Sequence, residues 1–176
     1  MVSNRASGHF AAQAHAITPV AQLNTLRGWV SADVAVGANT FRFISTHLEP
    51  DVPPVRLAQA NEVLEGPANT ALPVVFVCDC NSAAPDGAAY GALLAGGLRD
   101  TWVEKGGSKD GTTCCQDADL MNPVSLLDRR VDLVLVAGPV APVQVRVVGD
   151  ARHDRTTSGL WPSDHAGVAA KLLLGR

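Results

Sequence analysis

The stretch Val74-Val75-Phe76-Val77-Cys78-Asp79-Cys80-Asn81-Ser82 opens after Pro73 as an apolar, mostly β-branched run and ends in a carboxylate and a carboxamide two residues apart. Its composition and length predict a strand buried on both faces. Strand alternation puts Asp79 and Asn81 on one side. A buried strand of this kind fixes where the polar groups at its end point. Asp-x-Asn-Ser also caps turns, so any chemistry must be argued from what else reaches the same place.

Upstream, Val30, Ala32, Val34 and Val36 share one strand face, Gly37-Ala38-Asn39 turns the chain, and Phe41 and Phe43 alternate with Arg42 and Ile44 on the return. This pattern predicts a β-hairpin. The second strand runs into Ser45-Thr46-His47-Leu48-Glu49, which gives His47 the parity of Phe41 and Phe43 at the strand's end. Asp51 is placed to cap a helix, Pro53 and Pro54 suit its first turn, and Leu57, Ala60, Val63 and Leu64 form an apolar stripe up to Gly66. Residues 1–26 are polar and Ala-rich, with a short strand expected around His9-Phe10-Ala11-Ala12-Gln13-Ala14 and with His9 and His15 in solvent.

Downstream, Pro85-Asp86-Gly87 is a turn, Ala88 to Leu94 a short helix closed by Gly96-Gly97, and Leu98 to Val103 an expected strand. Glu104 to Leu127 reads as a long irregular excursion. Val131 to Val136 and Val140 to Val148 are valine-rich strands, and Gly149 to Pro162 is a loop carrying Arg152, His153 and Arg155. Those three are expected in a solvated loop, with attraction of a phosphate as the competing role, and Trp161 is expected to pack that loop. Ser163-Asp164-His165 then precedes a last apolar strand, Gly167 to Leu174.

With 176 residues, 47% hydrophobic and 18% charged, the chain has the size and composition of one globular domain. No window is apolar for the length a membrane span needs, and the first residues lead into no hydrophobic signal core. A formal net charge of −3 argues against affinity resting on a broad basic surface for nucleic acid, while a small phosphorylated substrate fits. The four cysteines, Cys78, Cys80, Cys114 and Cys115, match neither a zinc ribbon nor a regular disulfide framework. Cys78 reads as a core residue. A zinc site made from both pairs, or a cysteine/histidine metal protein using Cys114 and Cys115, stands as a minor reading.

Asp79, Asn81 and His47 end strands, whereas Asp132 and Asp164-His165 open them. In an antiparallel or mixed sheet, the ends of some strands and the starts of their neighbours share an edge, so these groups can meet at one rim. Two imidazoles with three carboxylates and an amide are what metal-assisted cleavage of a phosphate ester requires. Carboxylates hold a hard cation, one histidine takes a proton from water, and a partner carboxylate fixes that histidine's tautomer.

Thr46-His47-Leu48-Glu49, Asp79-Cys80-Asn81-Ser82, Arg130-Val131-Asp132 and Ser163-Asp164-His165, in this order and spacing, resemble the later motifs of the endonuclease/exonuclease/phosphatase superfamily, the deoxyribonuclease-like group. The resemblance runs from about Arg27 to the C-terminus. Arg27-Gly28-Trp29-Val30-Ser31, Thr112-Thr113-Cys114-Cys115-Gln116 and Ser158-Gly159-Leu160-Trp161-Pro162 further resemble a bacterial branch. It implies an α/β fold, a sandwich of two mixed β-sheets flanked by helices in the four-layer deoxyribonuclease-like arrangement. It also implies a divalent-metal-dependent phosphoesterase using Mg²⁺ or Mn²⁺. By this resemblance His165 is the general base, Asp132 the carboxylate that orients it, and Asp164 a metal ligand. His47 would hydrogen-bond a phosphoryl oxygen, with Asn81 and Asp79 positioning phosphate and nucleophile.

The superfamily's upstream asparagine and Gln-Glu-like motif, which supplies the principal metal ligand, has no match before Thr46. The chain therefore resembles the C-terminal part of a longer domain, with N-terminal strands missing and an open sheet edge that invites self-association. Glu49 belongs to the His47 motif and receives no metal role. The alternative to an active hydrolase is a chain that keeps the fold without the activity, as a binding or assembly module. The expected partner is a phosphate ester: nucleic acid, phospholipid headgroup or small phosphodiester.

Overall fold

The structure is a computed structural model describing residues 1–17, 22–106 and 110–175, with the backbone alone for residues 16, 17 and 22–24. Parts of the expected N-terminal segment (18–21) and of the irregular excursion (107–109) lie outside the described residues. The strands are β1 (Val2–His9), β2 (Ala14–Ile17), β3 (Gln22–Thr25), β4 (Gly28–Val36), β5 (Asn39–His47), β6 (Val74–Ala84), β7 (Arg99–Asp100), β8 (Arg130–Ala137), β9 (Val140–Val148) and β10 (Gly167–Leu174). The helices are α1 (Pro53–Glu65), α2 (Ala88–Ala95) and α3 (Thr101–Lys105).

The quoted stretch forms β6, at the centre of a six-stranded mixed sheet ordered β1-β4-β5-β6-β8-β7. The β4–β5 hairpin forms around Gly37, which at φ +60° takes the left-handed conformation that glycine allows. From β5 the chain crosses through α1 to β6, which pairs parallel with β5; a parallel pair needs such a crossover. The next neighbour, β8, is antiparallel to β6. A separate pair, β9 with β10, makes the second sheet, and β2 with β3 makes a small hairpin. The two-sheet mixed α/β sandwich expected from the sequence is the architecture observed.

Strand alternation divides the core in two. On one face of the large sheet Ile44, Phe76, Cys78, Cys80, Leu133 and Leu135 pack with Ala60 and Val63 of α1 and Ala89 and Leu93 of α2. Cys78 is a core residue, as expected, and its sulfur pairs with that of Cys80 two positions on. On the other face Phe41, Phe43, Val75 and Val136 meet Val140, Leu172 and Leu174 of the second sheet. Burying one such aliphatic or aromatic side chain contributes roughly 1.5–3 kcal/mol, so the two clusters fix the register of β5, β6 and β8.

Three local expectations are corrected. The early strand is Val2–His9, before the expected one. It is exposed along almost its whole length, so apolar alternation gave no sign of it, and pairing with β4 holds it. Phe10 leaves the strand to enter the core, and Ala11 and Ala12 donate their N–H groups to the Glu62 carboxylate of α1. Leu98 to Val103 is not one strand. Asp100 accepts from the Trp102 N–H at 2.8 Å, and this cap starts α3. Asp51 does not cap α1: Val52 holds the N-cap position without a side-chain bond.

Candidate active site

Because β5, β6 and β8 are neighbours, their register decides what stands side by side. His47 pairs with Asp79 across the parallel ladder, and Asp79 pairs with Asp132 across the antiparallel one. The three form one row across three strands. Each also adjoins a run of inward apolar residues, Phe41 and Phe43 before His47, Val75 and Val77 before Asp79, and Val134 and Val136 after Asp132. The row is thus the polar end of the face between the two sheets.

His165 reaches this row by a different route. The segment 113–116 lies between β8 and the start of β10, with Cys114 bridged to Arg129 on one side and to His165 on the other. Thr113 N–H donates to Arg129 O, Ala166 N–H to Thr113 O and Gln116 N–H to Asp164 O, each at 2.8 Å. These backbone bonds place the imidazole of His165 over β8. Its Nδ1 lies 2.8 Å from Asp132 Oδ2 and 4.0 Å from Asp79 Oδ2. His47 Nε2 lies 3.1 Å from the same Asp79 Oδ2 and its side chain is half exposed.

Burial raises the Asp132 carboxyl above the ordinary carboxylate range, and the nearby Asp79 charge adds to this; hydrogen bonds with Thr113 and His165 oppose it. When ionised, Asp132 can only accept, so His165 carries its proton on Nδ1 and presents a lone pair at Nε2. That tautomer is able to take a proton from water.

Asn81 sits at φ +47°, a left-handed conformation that asparagine tolerates, and its N–H donates to Asp79 Oδ1 at 3.1 Å. Its Nδ2 donates to Leu48 O at 2.9 Å, tying the end of β6 to the end of β5. The sequence therefore brings His47, Asp79, Asn81, Asp132 and His165 together. Asp164 stands apart. It is exposed, its Oδ1 accepts from Ser163 Oγ, and it joins neither of the donor clusters found among the described residues, Asp79 with Asp132 and His165, and Cys114 with Cys115 and His165. A single exposed carboxylate still suits Mg²⁺, which is commonly held by one or two carboxylates while keeping water and phosphate oxygens.

Two further residues, Thr113 and Arg129, escaped the sequence reading, and Cys115, read there only as a candidate metal ligand, proves to stand against His165. Thr113 is fully buried, and its Oγ1 accepts from the N–H groups of Val131 and Asp132 at 3.2 and 3.1 Å. Cys115 Sγ lies 3.7 Å from His165 Nε2, and Arg129 Nη2 lies 3.7 Å from the same sulfur. The only signal in the chain was the stretch Thr112 to Gln116 itself, whose place beside β8 depends on long-range pairing. The Cys78/Cys80 pair belongs to neither cluster, so a zinc site from both cysteine pairs is not formed among the described residues. Arg155 is engaged with the carbonyls of Gly159 and Met121 and lies over Trp161, which is buried as a loop anchor with its Nε1 on Asn122 O. This leaves Arg152 and His153 exposed, on a single 3-10 turn, Arg152–Asp154, within the expected loop.

No protein-family model and no curated protein matches the chain. Its fold is that of the endonuclease/exonuclease/phosphatase proteins. A family protein of that name from Bacteroides thetaiotaomicron superposes with a TM-score of 0.68 at 21% identity, over 87% of this chain and 56% of the other. A mannosyl-6-phosphatase from the same organism gives 0.65 at 20%, over 86% and 58%. D. rerio TDP2 with a single-strand DNA product gives 0.68 at 22%, over 98% and 68%. The chain spans less than two thirds of the length of the first two. Among the described residues, no helix is long and apolar enough to cross a membrane.

Proposed function

We propose that this chain hydrolyses phosphate esters by attack of a water deprotonated at His165 Nε2, with Asp132 holding the imidazole. The observation that carries the proposal is the 2.8 Å contact between His165 Nδ1 and Asp132 Oδ2, set in line with the His47–Asp79 pair. Water loses its proton to Nε2 as its oxygen bonds phosphorus and the ester oxygen leaves. The half-exposed His47, oriented by Asp79, donates to a phosphoryl oxygen, and Asp79 and Asn81 fix the floor against which the phosphate rests. Asp164 is the residue that would hold Mg²⁺ or Mn²⁺, whose chemistry there is to neutralise charge on the phosphoryl oxygens. The mannosyl-6-phosphatase and the DNA-bound TDP2 of similar fold support an ester of phosphate as substrate, and nucleic acid, a phospholipid headgroup and a small phosphodiester are the classes to compare.

The separation of Asp164 from the other acids favours one second reading, a chain that binds a phosphate ester through this row without turning it over. The experiment is hydrolysis of an aryl phosphodiester and of plasmid DNA, with and without Mg²⁺ or Mn²⁺, by the full chain and by His165→Ala. Metal-stimulated turnover lost in the variant supports hydrolysis. Equal, metal-independent rates for both refute it. The two-stranded second sheet leaves edges for a second copy to pair with, and a dimer by light scattering at micromolar concentration is the expected sign.

A further inference from the structure

We propose that Cys114, Cys115 and His165 form, in the reduced protein, a site for a thiophilic divalent cation of the zinc type, which takes His165 Nε2 as its nitrogen ligand. Binding at this site stands independently of the hydrolytic reading; its consequence for turnover rests on that reading.

The donor atoms of these three residues lie within 4.8 Å of one another. A tetrahedral zinc with Zn–S of about 2.3 Å and Zn–N of about 2.0 Å sets its ligands roughly 3.5–3.8 Å apart. The separation of Cys115 Sγ from His165 Nε2 is 3.7 Å, the edge that geometry needs. The other ring nitrogen is already held by Asp132 at 2.8 Å, the carboxylate–histidine arrangement that turns an imidazole's lone pair toward a metal. Two sulfurs and one imidazole select zinc-like ions over Mg²⁺, and three protein ligands leave a fourth position for water.

The sulfurs of Cys114 and Cys115 are paired with each other in the structure, which makes the site conditional. A dithiol reductant supplies two electrons and two protons, becomes a disulfide itself and leaves two thiols; binding of the cation then releases both thiol protons. The same imidazole nitrogen serves either the cation or proton transfer. The reduced, zinc-loaded chain is therefore silent, and a chelator that takes zinc but spares Mg²⁺ restores it.

The test titrates Cd²⁺, a zinc surrogate, into the full chain reduced with dithiol and freed of excess reductant, following the ultraviolet charge-transfer band of cadmium–thiolate bonds. One equivalent per chain is expected. The band should vanish in Cys115→Ser, and affinity should fall about 10–100-fold in Asp132→Asn, where the imidazole loses its orienting partner. Circular dichroism confirms that each variant is folded, and His165→Ala, with an expected loss of at least that size, serves if Cys115→Ser is not. A band retained at full strength in both Cys115→Ser and His165→Ala, or absent from the folded, reduced parent, overturns the proposal. Zinc that blocks phosphodiester cleavage in the parent supports the consequence. Binding in a chain that never cleaves sinks the hydrolytic reading and leaves the site standing, and cleavage without binding does the reverse.

Discussion

Asp33 on β4 is 4% exposed and lies against the Arg42 guanidinium, with Asn4 as a second donor; that partnership holds its carboxyl below the ordinary range. Asp132 on β8 lies against the His165 imidazole, and burial lifts its carboxyl above that range. Asp33 and Arg42 are direct cross-strand partners on the helix-covered face, whereas Asp132 stands on the face turned to the second sheet. The first carboxylate is satisfied once and for all. The second is kept under tension by its surroundings, and this is what a group working on a proton requires.

The contrast is broken most severely at His165. His165→Ala should reduce phosphodiester turnover about 10²–10⁴-fold with the fold intact, as read by initial rates beside circular dichroism. Removal of divalent cations with EDTA should suppress turnover and Mg²⁺ should restore it, a result that Asp164→Asn should blunt. On the structural side, Asp33→Ala strands a guanidinium with a fifth of its side chain in water. The loss expected from urea titration is about 1–3 kcal/mol, below the 3–5 kcal/mol of a fully buried pair.

The pH dependence sharpens the same comparison because the two signs are opposite. A lowered carboxyl such as Asp33 contributes stability that is present above the ordinary carboxylate range and lost as pH falls through its folded value. A raised carboxyl such as Asp132 binds its proton more readily folded than unfolded, so its contribution is full in acid and lost as pH rises through the carboxylate range. Asp33→Asn should therefore flatten acid unfolding, while Asp132→Asn should leave stability at neutral pH unchanged or raise it by about 1 kcal/mol or less, as judged by urea titration across pH. At Asn81 the effect is confined to the backbone: Asn81→Gly should retain the turn, and Asn81→Ala should cost about 1–2 kcal/mol more for its left-handed φ.

The hairpin, β6, β8, β9 and β10 were legible because their alternation or apolar runs report burial directly. β1 was not, since a strand exposed along nearly its whole length is held by backbone bonds to β4 and carries no apolar rhythm. At the site, the parity of His47, Asp79 and Asp132 could be read from each strand alone, but their arrival in one row depends on register between strands that no local pattern states. Thr113, and the place of Cys115 beside His165, were hidden for the same reason: their segment is irregular by itself and is placed by Arg129 and His165.

The row from His47 through Asp79 to Asp132 has a further consequence. Adjacent strands are spaced by about 4.8 Å wherever hydrogen-bonded ladders form, so the distances between these groups are inherited from the backbone lattice. Surrounding loops are then free to diverge and change which molecule is admitted, while the ruler against which a phosphorus atom would be measured stays the same length.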